Sequence, residues 1–403
     1  MTLNSSGQLS LGGSTTGQSI EKELGIGPTT QASFNDSNFR TLAGKSSGQI
    51  ALNNFYGKSS AITVSSLNNN VTVLSPIGIA VNPSGKFMVV GAGSGQLPKS
   101  ATTTNGSSWT AVSSIGSFTS NDYIRAVAWH PVSNLWVAVG GNNSAYQFEY
   151  AYSSNDGASW TTGSAGPSGG ISPPFCLAIN PSGVCVSVGN NYSGGSPVVY
   201  YSTNGTSWSY TTLSSINHIE FTSVCWDSSA GVFVAVGSYS TIGNSYNAVY
   251  MTSSNGSSWS APSLMGTAWS PYRVVCNSNG LLLAVGSSVL NNSSGSAGNA
   301  SYSLSSNGGS TWSTPATFNS VETVYPANGY NIVAVATPSN RFFVMNYQGS
   351  GNLGYTSSSD GTTWAPWAAF PGTADDWSSV AASSSNLIVG VGSYYGTAII
   401  AQG

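Results

Sequence analysis

The chain has 403 residues, of which 9 are Lys or Arg and 12 are Asp or Glu, giving a net charge of −3 and a charged fraction of 5%, against roughly 25% in an ordinary soluble domain. So few basic side chains exclude a nucleic-acid binder that works by counterion release and a polybasic membrane contact, while 40% hydrophobic and 11% aromatic residues exclude a disordered low-complexity tract. No apolar run approaches membrane-spanning length, and MTLNSSGQLS has neither a charged start nor an apolar core, so a soluble chain without an export signal is expected.

Residues 1–58 come first and hold nearly half of the basic residues, Lys22, Arg40, Lys45 and Lys58. An internal echo, SSGQLSLGG (5–13) against SSGQIALNNFYG (46–57), flanks a short helical candidate at 19–25. SFNDSNFRTLAG (33–44) reads as a capped turn and a second short helix, with Asp36 or Ser37 as the N-cap. A module this small has a thin core. SGQLSLGGSTTGQSIEKELG followed by NDSNFRTLAGKSSGQIALNNFYGKS resembles the short N-terminal module of tail-associated and other virion proteins of tailed bacteriophages. The resemblance covers about 55 residues and implies attachment to other virion proteins, with a displayed domain to follow.

From residue 59 the chain is a repeat. A box ending in Trp returns as TTNGSSW, SSNDGASW, STNGTSW, SSNGSSW, SSNGGSTW and SSSDGTTW, closing on Trp109, Trp160, Trp208, Trp259, Trp312 and Trp364. Between boxes lies an apolar run that usually closes on Gly, as in FMVVG (87–91) and WVAVG (136–140). About a dozen residues upstream of each run comes an element such as GIAVNPSG (78–85), whose Pro, Asn, Ser and Gly suit a hairpin turn. Each unit of about 50 residues therefore predicts four short antiparallel strands, A to D, and the whole an all-β, seven-bladed β-propeller over 59–403. The strand AITVSSL (61–67) is expected to complete the last blade, which lacks its own box and D strand, and so to remove two exposed edges.

Strand A should line the central channel, where space is least. Its third residue is Ala80, Ala128, Ala178, Cys225, Cys276, Val335 or Ala381, which makes Cys225 and Cys276 small core fillers. Cys176 and Cys185 share a blade, but a two-residue hairpin centred on Pro181 and Ser182 would set Cys185 opposite Ala178, so no disulfide is expected. With only His130 and His218 in the chain, no metal site and no cofactor are expected.

SSNDGASW and SSSDGTTW resemble the Asp-box, or neuraminidase-repeat, propellers. The other boxes keep the scheme, mostly with Asn in place of Asp. In that family the boxes are structural turns, on the face opposite the usual active site. Sialidases of that fold resemble one another in an arginine triad, a Tyr/Glu pair and an Asp acid/base. Here Arg125 and Arg273 stand at the starts of A strands, and Arg341 follows an A–B turn at the opposite end, so no carboxylate clamp is expected. Asp122, Glu220, Asp375 and Asp376 are candidate upper-face acids, and His218 with Glu220 a candidate base pair, but nothing in their spacing forces the carboxylate pair that glycoside hydrolysis needs.

The B–C connections, including 141–150, 189–200, 237–250, 286–302, 346–355 and 392–399, are rich in Tyr, Ser, Gly and Asn. That mixture combines rigid aromatic contact with adaptable hydrogen bonding. Tyr192, Tyr239, Tyr246, Tyr347, Tyr394 and Tyr395 are the expected ligand contacts. The expected function is a non-enzymatic virion protein, a tail fibre or tail-tip adhesin, that attaches through residues 1–58 and recognises a host-surface glycan or protein, with homo-oligomerisation adding avidity. A purely structural or decorating component, a polysaccharide-degrading glycosidase and a cellular assembly factor are the alternatives.

Overall fold

The computed structural model describes residues 20, 63–67, 76–91, 97–111, 113–119, 122–142, 146–166, 174, 176–189, 196–213, 219–240, 246–288, 298–318, 323–324, 332–347, 353–369, 377–392 and 398–402. The chain divides into two compact units, Met1–Val64 with Ala401–Gly403, and Ser65–Ile400. In the first, Ile20 is helical and buried, within the stretch expected as a short helix. The other expectations for residues 1–58 lie outside the described residues.

After β1 (Thr63–Leu67), six blades are each built from consecutive strands. Blade I holds β2 (Pro76–Val81), β3 (Phe87–Gly91), β4 (Lys99–Thr103) and β5 (Ser113–Ser114). Blade II holds β6 (Asp122–His130), β7 (Leu135–Asn142), β8 (Gln147–Ser153) and β9 (Thr161–Ala165). Blade III holds β10 (Ala178–Ile179), β11 (Cys185–Gly189), β12 (Val198–Ser202) and β13 (Ser209–Thr212). Blade IV holds β14 (Ile219–Asp227), β15 (Val232–Ser240), β16 (Tyr246–Ser253) and β17 (Ser263–Thr267). Blade V holds β18 (Ser270–Cys276), β19 (Leu282–Ser288), β20 (Gly298–Ser305) and β21 (Ala316–Thr317), with β22 (Thr323–Val324) also pairing β20. Blade VI holds β23 (Ile332–Ala336), β24 (Phe342–Tyr347), β25 (Leu353–Ser358) and β26 (Ala368–Ala369).

Six blades, not seven, are self-contained. The remaining sheet is composite, with β27 (Trp377–Ala382), β28 (Leu387–Gly392) and β29 (Ala398–Gln402) in order and β1 on the far side of β29. The first strands of successive sheets touch in turn, β2 on β6, β6 on β10, β10 on β14, β14 on β18, β18 on β23, β23 on β27 and β27 back on β2. The architecture is a β-propeller of four-stranded antiparallel blades around a closed inner ring.

A bulge near the start of the inner strand explains why the apolar run ends in Gly. In blade II the register slips between Ile124 and Ala126, and the bulge lays the Tyr123 carbonyl over Gly140, where a Cβ would meet that oxygen at 1.6 Å. Gly237 lies under the Glu220 carbonyl and Gly286 under that of Ser270 in the same way. Blade VI, whose run ends in Asn346, pairs β23 with β24 without a slip.

The A–B turns correct one expectation. Asn180 bonds to Val184 through backbone N–H, and its side-chain Oδ1 accepts the Val184 N–H in return. The loop therefore has three residues, Pro181 to Gly183, with Gly183 at φ +84°. Cys185 consequently faces Ile179 rather than Ala178.

The strands also run past their expected ends. β15 and β16 pair through Tyr239 with Asn247 and Ser240 with Tyr246, and β24 pairs Tyr347 with Leu353. Tyr239, Tyr246 and Tyr347 are therefore strand residues rather than loop residues, because alternating aromatic and small polar side chains suit a pleated ladder as well as a loop.

The core lies between blades. Interface II/III packs Phe148, Val139, Val198 and Tyr200, and interface III/IV packs Val186, Val188, Phe221, Phe233 and Met251. Each box Trp joins the interface with the blade before its own: Trp109 with the composite sheet, Trp160 with I, Trp208 with II, Trp259 with III, Trp312 with IV and Trp364 with V.

Candidate functional site

The six boxes share one turn chemistry. In the fourth, Ser253 Oγ accepts the Gly256 N–H, and Asn255 Oδ1 accepts the N–H groups of Ser257 and Ser258. Gly256 has φ +77°, and a Cβ there would meet Val186 Cγ2 of blade III at 2.7 Å. The Trp259 Nε1–H donates to the Gly256 carbonyl at 2.9 Å. Trp109, Trp208, Trp312 and Trp364 close their own boxes likewise, while Trp160 donates instead to Ser100 Oγ of blade I at 3.0 Å. In SSSDGTTW the cap is Ser358 with Asp360, whose Oδ1 accepts from Thr362 and Thr363. These amide contacts lower the Asp360 pKa against the raising effect of its burial, the largest single influence on it. Each box thus clamps its blade onto the one before.

At the opposite end, where the B–C connections emerge, the six expected tyrosines do not come together as one described cluster. Tyr192, Tyr394 and Tyr395 lie outside the described residues, and Tyr246 and Tyr347 are placed only as members of strands. Tyr239 lines a cleft of about 650 Å³ between blades III and IV, within the usual range for ligand sites. Trp259 and Pro262 line it from the box side, Val249 and the exposed Leu264 from blade IV, and Thr212 and Leu213 from blade III. Among the described residues, no charged side chain is in its walls. Sequence reasoning found Tyr239 and Trp259 separately, but not that the two share a wall, because their contact depends on how neighbouring blades pack.

Of the candidate acids, Asp122 is brought next to Glu149, a residue that sequence reasoning placed in a loop. Asp122 is buried and accepts from the Thr119 N–H and the Asn142 amide. Burial, the Asp122 charge and a hydrogen bond to Asp122 push the Glu149 pKa up to about 8. At neutral pH Glu149 is therefore protonated beside Asp122, and its Oε2 is buried without a hydrogen-bond partner. Glu220, the acid expected from blade IV, lies near Arg125. Burial raises its pKa, and the nearby Arg125 charge opposes that shift. Asp375, Asp376 and His218 lie outside the described residues.

Arg125 stands 6.0 Å from the Tyr123 ring centroid. Arg273 donates to the carbonyls of Tyr272 and Ser378, and Arg341 sits at the far turn, its backbone bonded to Thr337. All four cysteines are free. Burial pushes Cys176 up to about 11 and Cys185 and Cys276 up to about 12, which keeps them as unreactive thiols. Among the described residues no group of three or more His, Cys, Asp or Glu could hold a metal ion, and no helix is long and apolar enough to cross a membrane.

No family model matches the chain, and no curated protein matches it in sequence. Solved structures match it in fold. The BP39L lectin from Burkholderia pseudomallei superposes with a TM-score of 0.61 at 12% identity, over 81% of this chain and 95% of the lectin. The WD40 β-propeller domain of Doa1 gives 0.52 at 11% identity, over 85% and 96%. A PL25 ulvan lyase, solved with a bound saccharide, gives 0.51 at 11% identity, over 83% and 94%. What this chain shares with a lectin, a WD40 domain and a lyase is the β-propeller fold.

Proposed function

We propose that this chain is a non-enzymatic recognition protein of a virion, attached through residues 1–58 and displaying a propeller that binds a cell-surface glycan or protein. The composite sheet, counted as a closing blade, makes the displayed ring seven-bladed. The observation that carries the binding reading is the III/IV cleft: an aromatic and hydroxyl-bearing recess of ligand size, without charge, on a surface that is itself almost uncharged. Such walls suit a neutral, polar ligand with one apolar face. A lectin and a saccharide-bound lyase among the structural relatives favour a glycan over a protein.

The attachment reading rests on the SGQ…FYGK resemblance of residues 1–58. Incubating the full chain with intact cells, with and without free cell-surface polysaccharide as competitor, tests the recognition reading. Binding that the polysaccharide displaces supports it, and absence of binding at micromolar protein overturns it. Locating the chain on purified particles by immunogold labelling tests the attachment reading separately.

A further inference from the structure

The III/IV cleft has a counterpart one blade on. Gly237 pairs with Val249, and Gly286 with Ser301, so the ladders fix the correspondence between blades IV and V. Tyr239 corresponds to Ser288, Val249 to Ser301 and Leu264 to Thr317, while Trp259-Ser260-Ala261-Pro262 corresponds to Trp312-Ser313-Thr314-Pro315. The second set lines a cavity of about 490 Å³ between blades IV and V. One backbone frame thus carries two linings: Tyr, Val and Leu in the first cleft become three hydroxyls in the second.

The second cleft also contains a donor without an acceptor. Trp269 lines it, is 1% exposed, and its Nε1–H has no hydrogen-bond partner on the protein. Burying such a group is costly unless something accepts from it. Gly266 packs close beside it, and a Cβ there would lie 2.8 Å from Nε1, so a side chain at this position would press on the indole edge. Ser288 and Ser301 both donate to the Asn299 carbonyl, which leaves oxygen lone pairs for a ligand. Thr314 and Thr317 are exposed at the mouth, and among the described residues no charged side chain lines the cleft.

We propose that the IV/V cleft binds one residue of a neutral saccharide, its C–H face against the Trp312 indole and one of its oxygens accepting from Trp269 Nε1–H. Hydroxyl walls without charge match a polyhydroxylated, uncharged ring and disfavour an ion, which would be desolvated without a counter-charge. An apolar peptide side chain would leave the hydroxyls and the indole N–H unsatisfied. This assignment rests on the reading of the propeller as a glycan-recognition surface and adds to it the site and the contact.

The test is titration of the full chain with the methyl glycosides of glucose, galactose, mannose and N-acetylglucosamine, followed by saturation-transfer NMR and tryptophan fluorescence. At least one glycoside should bind, and Trp269→Phe and Gly266→Ala should each weaken it about tenfold, the worth of one hydrogen bond to a buried donor. Thr317→Val, at an exposed position, should weaken it several-fold, and Val132→Ala, exposed in the A–B turn of blade II and far from either cleft's walls, should leave it unchanged. Absence of binding by all four glycosides, or equal affinity in the Trp269→Phe and Thr317→Val variants, overturns the assignment. If the wild type and these variants bind cell-surface polysaccharide equally well, the assignment of this cleft fails while the recognition reading stands.

Discussion

The carbonyl oxygen of Tyr123 occupies the space that a side chain on Gly140 would need, 1.6 Å from the position of its Cβ. The contact comes from the bulge in the inner strand, and no rotamer relieves it because the obstacle is backbone. Gly140→Ala should therefore destabilise the protein by about 1–3 kcal/mol or more, the range for forced overpacking, seen as a lowered melting temperature. Gly85→Asn, at an open left-handed turn with nothing within 4 Å, should cost far less, because Asn tolerates that conformation.

The boxes yield a second expectation. Asn255→Ala strips the acceptor from two backbone N–H groups and should cost about 1–2 kcal/mol, as loss of a helix N-cap does. Asn255→Asp keeps the acceptor and should fold normally. Chemical denaturation of both variants checks the contrast.

The box tryptophans should not be equal. Trp364 is 4% exposed and packs edge-on against Phe318 across interface V/VI, with centroids 4.7 Å apart. Trp364→Ala should cost about 3–5 kcal/mol, as expected for a buried aromatic, and should loosen that interface in hydrogen exchange. Trp109→Ala, at a half-buried position, should cost less. A reversed order would show that the boxes do not act as inter-blade clamps.

Glu149 sets a pH dependence. Its pKa is raised from 4.5 to about 8 in the folded protein, so the native state holds a proton that the unfolded chain releases above about pH 4.5. Stability from this group is therefore full below that pH and is lost progressively as the pH rises through 8. Glu149→Gln keeps a donor toward Asp122 and removes the titration. Melting temperatures of the wild type should fall between pH 5 and 9, and those of the variant should fall less. Parallel curves for the two proteins would place the Glu149 proton elsewhere.

Much of the fold was legible because the repeat is written in residues with a backbone task. Asn or Ser in the boxes, Gly at their positive-φ turns and small residues on the inner strand each mark a fixed point of the blade. The register at Cys185 was missed because Pro181-Ser182-Gly183 can close a loop of two or three residues, and only the left-handed Gly183 decides between them. Tyr239 was legible as a candidate contact, but its cleft was not, since the walls come from two blades and a box some 20 residues away. Glu149 was hidden in a segment that reads as loop yet pairs as strand. Trp269 carried no signal at all, because an indole N–H is orphaned by what surrounds it and not by its sequence neighbours.

The proposed function requires that the propeller bind a polysaccharide without cleaving it. The most direct measurement incubates the full chain with an array of bacterial cell-surface polysaccharides, scoring retained protein and released reducing ends together, for the wild type and for Tyr239→Ala combined with Trp269→Phe. Binding to at least one polysaccharide, lost about tenfold or more in the double variant and without release of reducing ends, is the predicted result. Retention unaffected by the double variant, or reducing ends released in proportion to protein, would contradict it.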